Sequence, residues 1–242
     1  MFAESAQRSD VPVGATHGPG AGLRVLHVIR SLDPAGGGPQ EGLRQIAREM
    51  ATRSVHVEIV SLDDPGAPWG ANYHVPVHLA GPALGKYGYS GRFGPWLRTH
   101  AGRFDIVVIH GLWQFHGFAA WRELRRQRIP YVVYPHGMLD PWFKREYPLK
   151  HLKKWLYWPW ADYRMTRDAH AVLFTCEEES ILAPRSFWLY RGKPEVVGFG
   201  IAPPPADTGK QRLTFLDRFP ELRGKRLLLF MARIHPKKGC DL

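Results

Sequence analysis

At 242 residues, 44% of them hydrophobic, the chain can bury one sizeable core, or one core and part of a second. Lys and Arg number 33 against 22 Asp and Glu, a formal charge of +11, which favours polyanions: nucleic acid, an anionic bilayer surface or phosphorylated substrates. The two cysteines, Cys176 and Cys240, lie far apart in sequence and in no Cys-x-x-Cys pair, so a disulfide framework or zinc ribbon is unsupported and two reduced thiols are expected.

Met1 to Gly22 is rich in Gly, Pro, Ala and Ser and has no apolar h-region, so it reads as a disordered leader rather than a signal peptide. No run is apolar for long enough to span a bilayer. The expected location is therefore cytoplasmic, at most peripheral to a membrane. Leu23 to Ile29 (LRVLHVI) has the pattern of a buried parallel strand. After a loop with Gly36, Gly37 and Gly38, Pro39 stands at a first helical position. Leu43, Ile46, Ala47 and Met50 then fall on one helix face. Val55 to Val60 predicts a second strand, Val75 to Ala80 a third, and Gly94 to His100 a helix. Asp105 to His110 (DIVVIH) is another buried strand. The helix after it carries Phe118, Trp121 and Leu124 on one side and Arg122, Arg125 and Arg126 toward the other. Pro130 to His136 (PYVVYPH) predicts a strand ending in a polar loop. A long helix follows from about Leu149 to Thr166, kinked at Pro159. Ala171 to Cys176 is a strand, and Glu177 to Leu182 starts a helix.

Strands alternating with helices give βαβ units: an α/β, Rossmann-like parallel sheet with helices on both faces. Ile201 to Gly224, polar and containing Pro203, Pro204 and Pro205, reads as a connector between domains. Arg226 to Met231 (RLLLFM) then predicts the first strand of a second Rossmann-like domain, followed by the turn Arg233 to Gly239 (RIHPKKG). The expected organisation is a leader over 1–22, a first domain over 23–200, a connector over 201–224 and the start of a second domain over 225–242. One strand and one turn cannot form a domain, so a partner or a longer chain is expected to complete it.

Ligands of open α/β sheets bind beyond the carboxyl ends of the strands, where three polar clusters fall. In the first, Asp33 to Pro39, glycines before a helix allow close backbone approach and turn free N–H groups toward an anion. It is not the dinucleotide fingerprint, because Glu41 stands where the third glycine should be, nor a Walker A loop. A plain flexible turn would look the same. The second cluster is His110-Gly111-Leu112-Trp113 and the third is Pro135 to Asp140 (PHGMLD). Two His-Gly pairs at two strand ends would face one cleft. His110 and His116 are spaced wrongly for metal ligands on one helical turn, and no Cys or carboxylate joins them, so no metal site is expected. No Gly-x-Ser-x-Gly elbow is present. A fourth cluster, Arg233 with Lys237, Lys238 and Gly239, suits a diphosphate clamp or an exposed basic turn.

In this order, GGGPQ, HGLW, PHGMLDPW, LFTCEEES and FMARIHPKKG resemble glycosyltransferase family 4, with the GT-B fold, over about Leu23 to Leu242. The resemblance implies the acceptor-side, amino-terminal half of a retaining enzyme. Such an enzyme moves a sugar from a nucleotide-diphosphate sugar to a polysaccharide or lipid-linked acceptor, with no metal and no cofactor. It assigns Arg233 and Lys238 to the leaving diphosphate and His136 to the transferred sugar. Gly36, Gly37, Gly38, His110, Trp113, Gly137 and Asp140 are the implied substrate contacts. Two departures stand out. The family's Asn-Gly pair before the connector is Val197-Gly198-Phe199-Gly200 here, and its Glu-x₇-Glu region lies beyond residue 242. The resemblance therefore implies that this stretch alone transfers no sugar.

A nucleotide-sugar epimerase of the same fold is one alternative. Another is a basic binding module without chemistry, suggested by Lys144 to Trp160 (KREYPLKHLKKWLYWPW). There Leu149, Leu152 and Leu156 line one side, Lys150, Lys153 and Lys154 another, with Trp155, Trp158 and Trp160 as interfacial anchors for an anionic membrane surface. The expected arrangement is an ordinary helix with its leucines on the sheet. Nucleic acid is not an expected partner, because no recognition motif accompanies the charge.

Overall fold

The apolar runs do what their composition asks: six of the seven strands come from them, and all pair in parallel. In a computed structural model of the protein, the described residues are 22–198, 200, 203, 207–232, 234, 238 and 239. The chain divides into two units, Met1–Gly200 and Ile201–Leu242. In the first unit the strands are β1 (Arg24–Ile29), β2 (His56–Ser61), β3 (Val77–Leu79), β4 (Ile106–His110), β5 (Tyr131–Tyr134), β6 (Ala171–Phe174) and β7 (Pro194–Val196). They form one sheet in the order β3-β2-β1-β4-β5-β6-β7. The order reverses between β1 and β4, which pair with Val25 opposite Ile106 and His27 opposite Val108. That reversal is where a parallel sheet opens a crevice at its carboxyl edge.

Strands β1, β2, β4, β5 and β6 are largely buried, β3 is half-buried and β7 is exposed. On one face Leu26, Val28, Val107 and Ile109 pack with Phe93 and Leu97 of α2 (Phe93–His100), Trp121 and Leu124 of α3 (Phe115–Gln127) and Met165 of α6 (Asp162–Asp168). On the other, Val57 and Ile59 pack with Leu43 and Ala47 of α1 (Gly38–Thr52), while Val25, Val108, Val132 and Ala171 form a smaller cluster. His27 shares this second face with Val25, because alternate residues of a strand share a side.

The structure corrects the sequence reading in four places. The helix expected from Leu149 to Thr166 is broken, not kinked: α5 (Pro148–Tyr157) and α6 flank a turn containing Pro159, which has no N–H for the ladder. The leucines of α5 face out, with Leu149 82%, Leu152 60% and Leu156 74% exposed. Its inward row is His151, Trp155 and Trp158, drawn to Phe187 at ring separations of 4.6, 6.2 and 4.5 Å. The polar connector contains a helix, α8 (Thr208–Arg218), started by the Asp207 carboxylate accepting from Lys210 N at 3.0 Å; α4 (Trp142–Glu146) and α7 (Glu177–Leu182) complete the set. Finally, Arg226 to Met231 forms no strand, and Leu228, Leu229 and Met231 are exposed. An isolated extended run has no ladder to satisfy its backbone and no layer to cover its side chains, and no described residue of the second unit is in a strand. The predicted leader, apart from Gly22, and Arg233 and Lys237 of the basic turn lie outside the described residues.

Candidate functional site

Three loops meet at the carboxyl edge where the strand order reverses. The loop after β1 is organised by Asp63, whose carboxylate accepts from Ser31 Oγ at 2.6 Å, Leu32 N at 2.7 Å and Ser61 Oγ at 2.7 Å. The chain then makes a turn of 3-10 helix over Pro34–Gly36, started by Asp33 Oδ1 accepting from Ala35 N. Gly37, at φ 88° and ψ −129°, leads into α1, a conformation that only glycine adopts without strain. A side chain at Gly36 would collide with the Gln40 amide, which bonds back to Ser31 O at 3.2 Å.

The loops after β4 and β5 are stapled to each other and to the helices behind. Leu112 N donates to Met138 Sδ, and Trp113 N to the buried Asp162 carboxylate at 3.1 Å. Gly137 N donates to Glu179 Oε1 at 2.7 Å, while Glu179 Oε2 accepts from Thr175 N and Oγ1. His136 and Gly137 both have left-handed backbones, at φ 52° and 75°, which turn the chain sharply away from the strand end.

Between these loops lies a cleft of about 300 Å³. Gly36, Arg30, Asp33, His110, Gly111 and His136 contribute to its wall. The two predicted His-Gly pairs thus come together with the first of the three glycines. Gly37 lines the adjoining hollow with Glu41 and Arg44, and Gly38 opens α1. Trp113 turns instead toward Trp158 and Phe187, with the Lys154 ammonium 4.6 Å from its ring. The Asp140 carboxylate accepts from Trp142 N, at the entry to α4, at 2.8 Å. Lys238 is an exposed residue of the second unit, and Arg233 lies outside the described residues.

His110 Nδ1 and His136 Nε2 are 2.9 Å apart, and His110 Nε2 is 2.9 Å from His27 Nδ1. The His136 ring is stacked on Tyr134, whose hydroxyl donates to Gly198 O at 2.9 Å. His116 Nε2 donates to the His110 carbonyl at 2.7 Å. Burial pushes the pKa of His27, His116 and His136 down to about 4, against a rise from Glu179 at His136. His110 is held well below its ordinary value by burial first and by the three neighbouring histidines second. The cluster is therefore neutral at pH 7, and the charged groups lining the cleft are Arg30 and Asp33. Among the described residues no group of three or more His, Cys, Asp or Glu could hold a metal ion.

Sequence reasoning passed over two residues of this site. His27 was hidden inside LRVLHVI, where a lone polar residue in a buried strand was the signal. Arg30, just past the same strand, carried no motif.

A family model described as a glycosyl transferase 4-like domain matches residues 37–200. A GDP-mannose:cellobiosyl-diphosphopolyprenol alpha-mannosyltransferase from Komagataeibacter xylinus is 31% identical over 124 residues, which are 48% of this chain and 30% of that protein. The enzyme of the same name from Xanthomonas oryzae pv. oryzae is 30% identical over 124 residues, 48% of this chain and 31% of that protein. The chain thus matches less than a third of the length of these relatives. The fold is shared with Anabaena HepE, crystallised in complex with UDP and glucose, at a TM-score of 0.54 and 16% identity over 80% of this chain and 50% of that one.

Proposed function

The chain belongs to the glycosyl transferase 4-like family, and on that premise we propose that it supplies the acceptor-side half of a retaining, metal-independent glycosyltransferase. The donor is a nucleotide-diphosphate sugar and the acceptor a saccharide carried on a lipid diphosphate, as the names of the two mannosyltransferase relatives suggest. The observation that carries the reading is the cleft at the strand-order reversal, where Gly36, Arg30 and His136 share one wall. In this proposal His136 contacts the transferred sugar. Arg233 and Lys238 neutralise the departing diphosphate, a task that fixed cations perform without a metal.

The test is transfer by the protein that carries this stretch together with a Glu-x₇-Glu region. The product should keep the donor's anomeric configuration, and EDTA should not slow its formation. An inverted product or loss of activity in EDTA would overturn the mechanism, and an epimerised nucleotide sugar without transfer would favour the epimerase. Purified Met1–Leu242 by itself should transfer nothing, because half a cleft cannot position two substrates.

The outward face of α5 supports a peripheral membrane location as part of this proposal. Leu149, Leu152 and Leu156 are exposed there, and the cations Lys144, Arg145, Lys150 and Lys153 of the same stretch are exposed as well. Exposed leucines and cations in one stretch fit an anionic bilayer surface, where a lipid-linked acceptor would lie. Lys154 is not one of those cations, since its ammonium sits over Trp113 and Phe143. No helix among the described residues is long and apolar enough to cross a membrane. Sedimentation with vesicles containing phosphatidylglycerol should carry the protein down. Leu152→Glu with Leu156→Glu should abolish this, and equal binding to neutral vesicles would refute it.

A further inference from the structure

We propose that Arg30 is the anion-binding residue of the cleft, placed to take a phosphate group of a ligand through its guanidinium. The assignment deepens, and rests on, the reading of the cleft as a glycosyltransferase site. It adds a cation of the first unit to Arg233 and Lys238. Arg30 directly follows β1, at the strand-order reversal, and its side chain contributes to the cleft wall. It is half-buried, as are Arg24, Arg44, Arg103 and Arg164. Each of those four has a partner for its charge. Arg44 and Arg103 pair with Glu41 and Glu58 at 2.6 Å, and Arg24 and Arg164 lie over the rings of Phe104 and Trp160. Arg30 has neither a carboxylate nor a ring among the described residues.

Its nitrogens are poorly satisfied. Nε is buried without an acceptor. Nη2 has only Gly85 O, at 3.5 Å, beyond the roughly 2.7–3.2 Å of an ordinary N–H···O bond. Nη1 has no hydrogen-bond partner among the described residues and, unlike Nε, is not shut off from solvent. A tight turn holds the side chain in place. Leu84 N donates to Tyr89 O at 2.7 Å and Tyr89 N to Leu84 O at 3.0 Å, while Phe115 N donates to Tyr87 O at 2.9 Å. Gly88 of this turn, at φ 77°, lies so close that a Cβ there would meet Arg30 Nε at 2.9 Å. The guanidinium is thus set before a ligand arrives, which lowers the cost of binding.

A guanidinium presents its N–H groups in a planar fork that matches pairs of phosphate oxygens. Taking it partly out of water without a counter-ion costs free energy that an anion in the cleft would return. Arg30 is the one cation among the residues lining this cleft, where His110 and His136 are held neutral by burial. Asp33, the other charge on the wall, accepts from Ala35 N through Oδ1 and confines an anion to the Arg30 side.

Inorganic pyrophosphate tests this on the chain Met1–Leu242 at pH 7.5 in about 0.15 M salt, which screens long-range attraction to the rest of this basic chain. The amide ¹H–¹⁵N signals of Gly36 and Gly111, both in the cleft wall, should move to saturation in the wild type. Arg30→Gln should weaken this binding about tenfold or more, as a charge-assisted contact is lost. Arg30→Lys should fall between, because an ammonium lacks the fork. The exposed Arg128 is the control, and Arg128→Gln should bind as the wild type does. Gly88→Ala keeps the charge but displaces the guanidinium, and should weaken binding several-fold. If it does not fold, Arg30→Gln and Arg30→Lys carry the comparison. Signals that stay in place in the wild type, or equal affinity in Arg30→Gln, overturn the proposal; equal affinity in Gly88→Ala removes the turn from it. In the protein carrying both halves, Arg30→Gln should raise one KM about tenfold. A rise for the acceptor assigns the phosphate to the lipid diphosphate, a rise for the donor assigns it to the nucleotide, and no rise in either overturns the proposal. If pyrophosphate binds through Arg30 but the protein carrying both halves transfers no sugar, the proposed function fails and the anion site stands.

Discussion

Acidification from pH 7 to pH 5 tests the buried histidines of the first unit. His27, His116 and His136 take up a proton near 6.5 when the chain is unfolded but only near 4 when it is folded, because burial penalises the charged ring. A lowered folded pKa contributes stability that is complete above the unfolded value and is lost as pH falls toward the folded one. Over this interval each ring loses about 2 kcal/mol. Asp162 works the other way. Burial holds its carboxyl up at about 7, against the opposing Trp113 N–H and Lys154, so its contribution is complete below the unfolded value near 3.8 and is lost as pH rises through 7. Moving to pH 5 therefore returns about 2 kcal/mol. The net expectation is a loss of about 4 kcal/mol, with His110 and His151, both lowered by burial first, adding in the same direction. All nine tryptophans lie in the first unit, so urea unfolding followed by their fluorescence reports on it alone. His27→Asn should shrink the pH effect by about 2 kcal/mol. Equal or greater stability at pH 5 than at pH 7 would show that these rings are not buried as neutral groups.

Three further outcomes are expected. Trp158→Ala should cost about 3–5 kcal/mol in urea unfolding, since its ring is fully buried against Phe187; a loss under about 1 kcal/mol would mean that the aromatic stack does not hold α5. Gly37→Val should lower stability by about 1–3 kcal/mol through backbone strain alone, because a Cβ there meets nothing within 4 Å, and an unchanged thermal midpoint would refute that conformation. In the protein carrying both halves, Lys238→Ala should lower kcat about a hundredfold while acceptor binding holds; near-normal turnover would remove Lys238 from the diphosphate.

The sequence by itself determined the first unit. Its strand runs are apolar enough to be buried on both faces whatever surrounds them, and the glycines and His-Gly pairs mark where those runs end. β7 escaped notice because Lys193-Pro194-Glu195-Val196 has no apolar run; it is a strand only because β6 offers it a ladder, with Phe174 opposite Val196. The leucines of α5 showed the opposite failure. Their spacing marks a helix face but cannot say which face is inward, and Phe187 decided it by taking His151 and Trp158 instead. Arg226 to Met231 reads as a strand by composition, yet composition cannot supply a neighbour. At the site, His110 and His136 were legible as strand-end residues. That they continue into His27 was not, because 83 residues of sequence separate His27 from His110. Only the parallel pairing of β1 with β4 brings those two rings within hydrogen-bond reach.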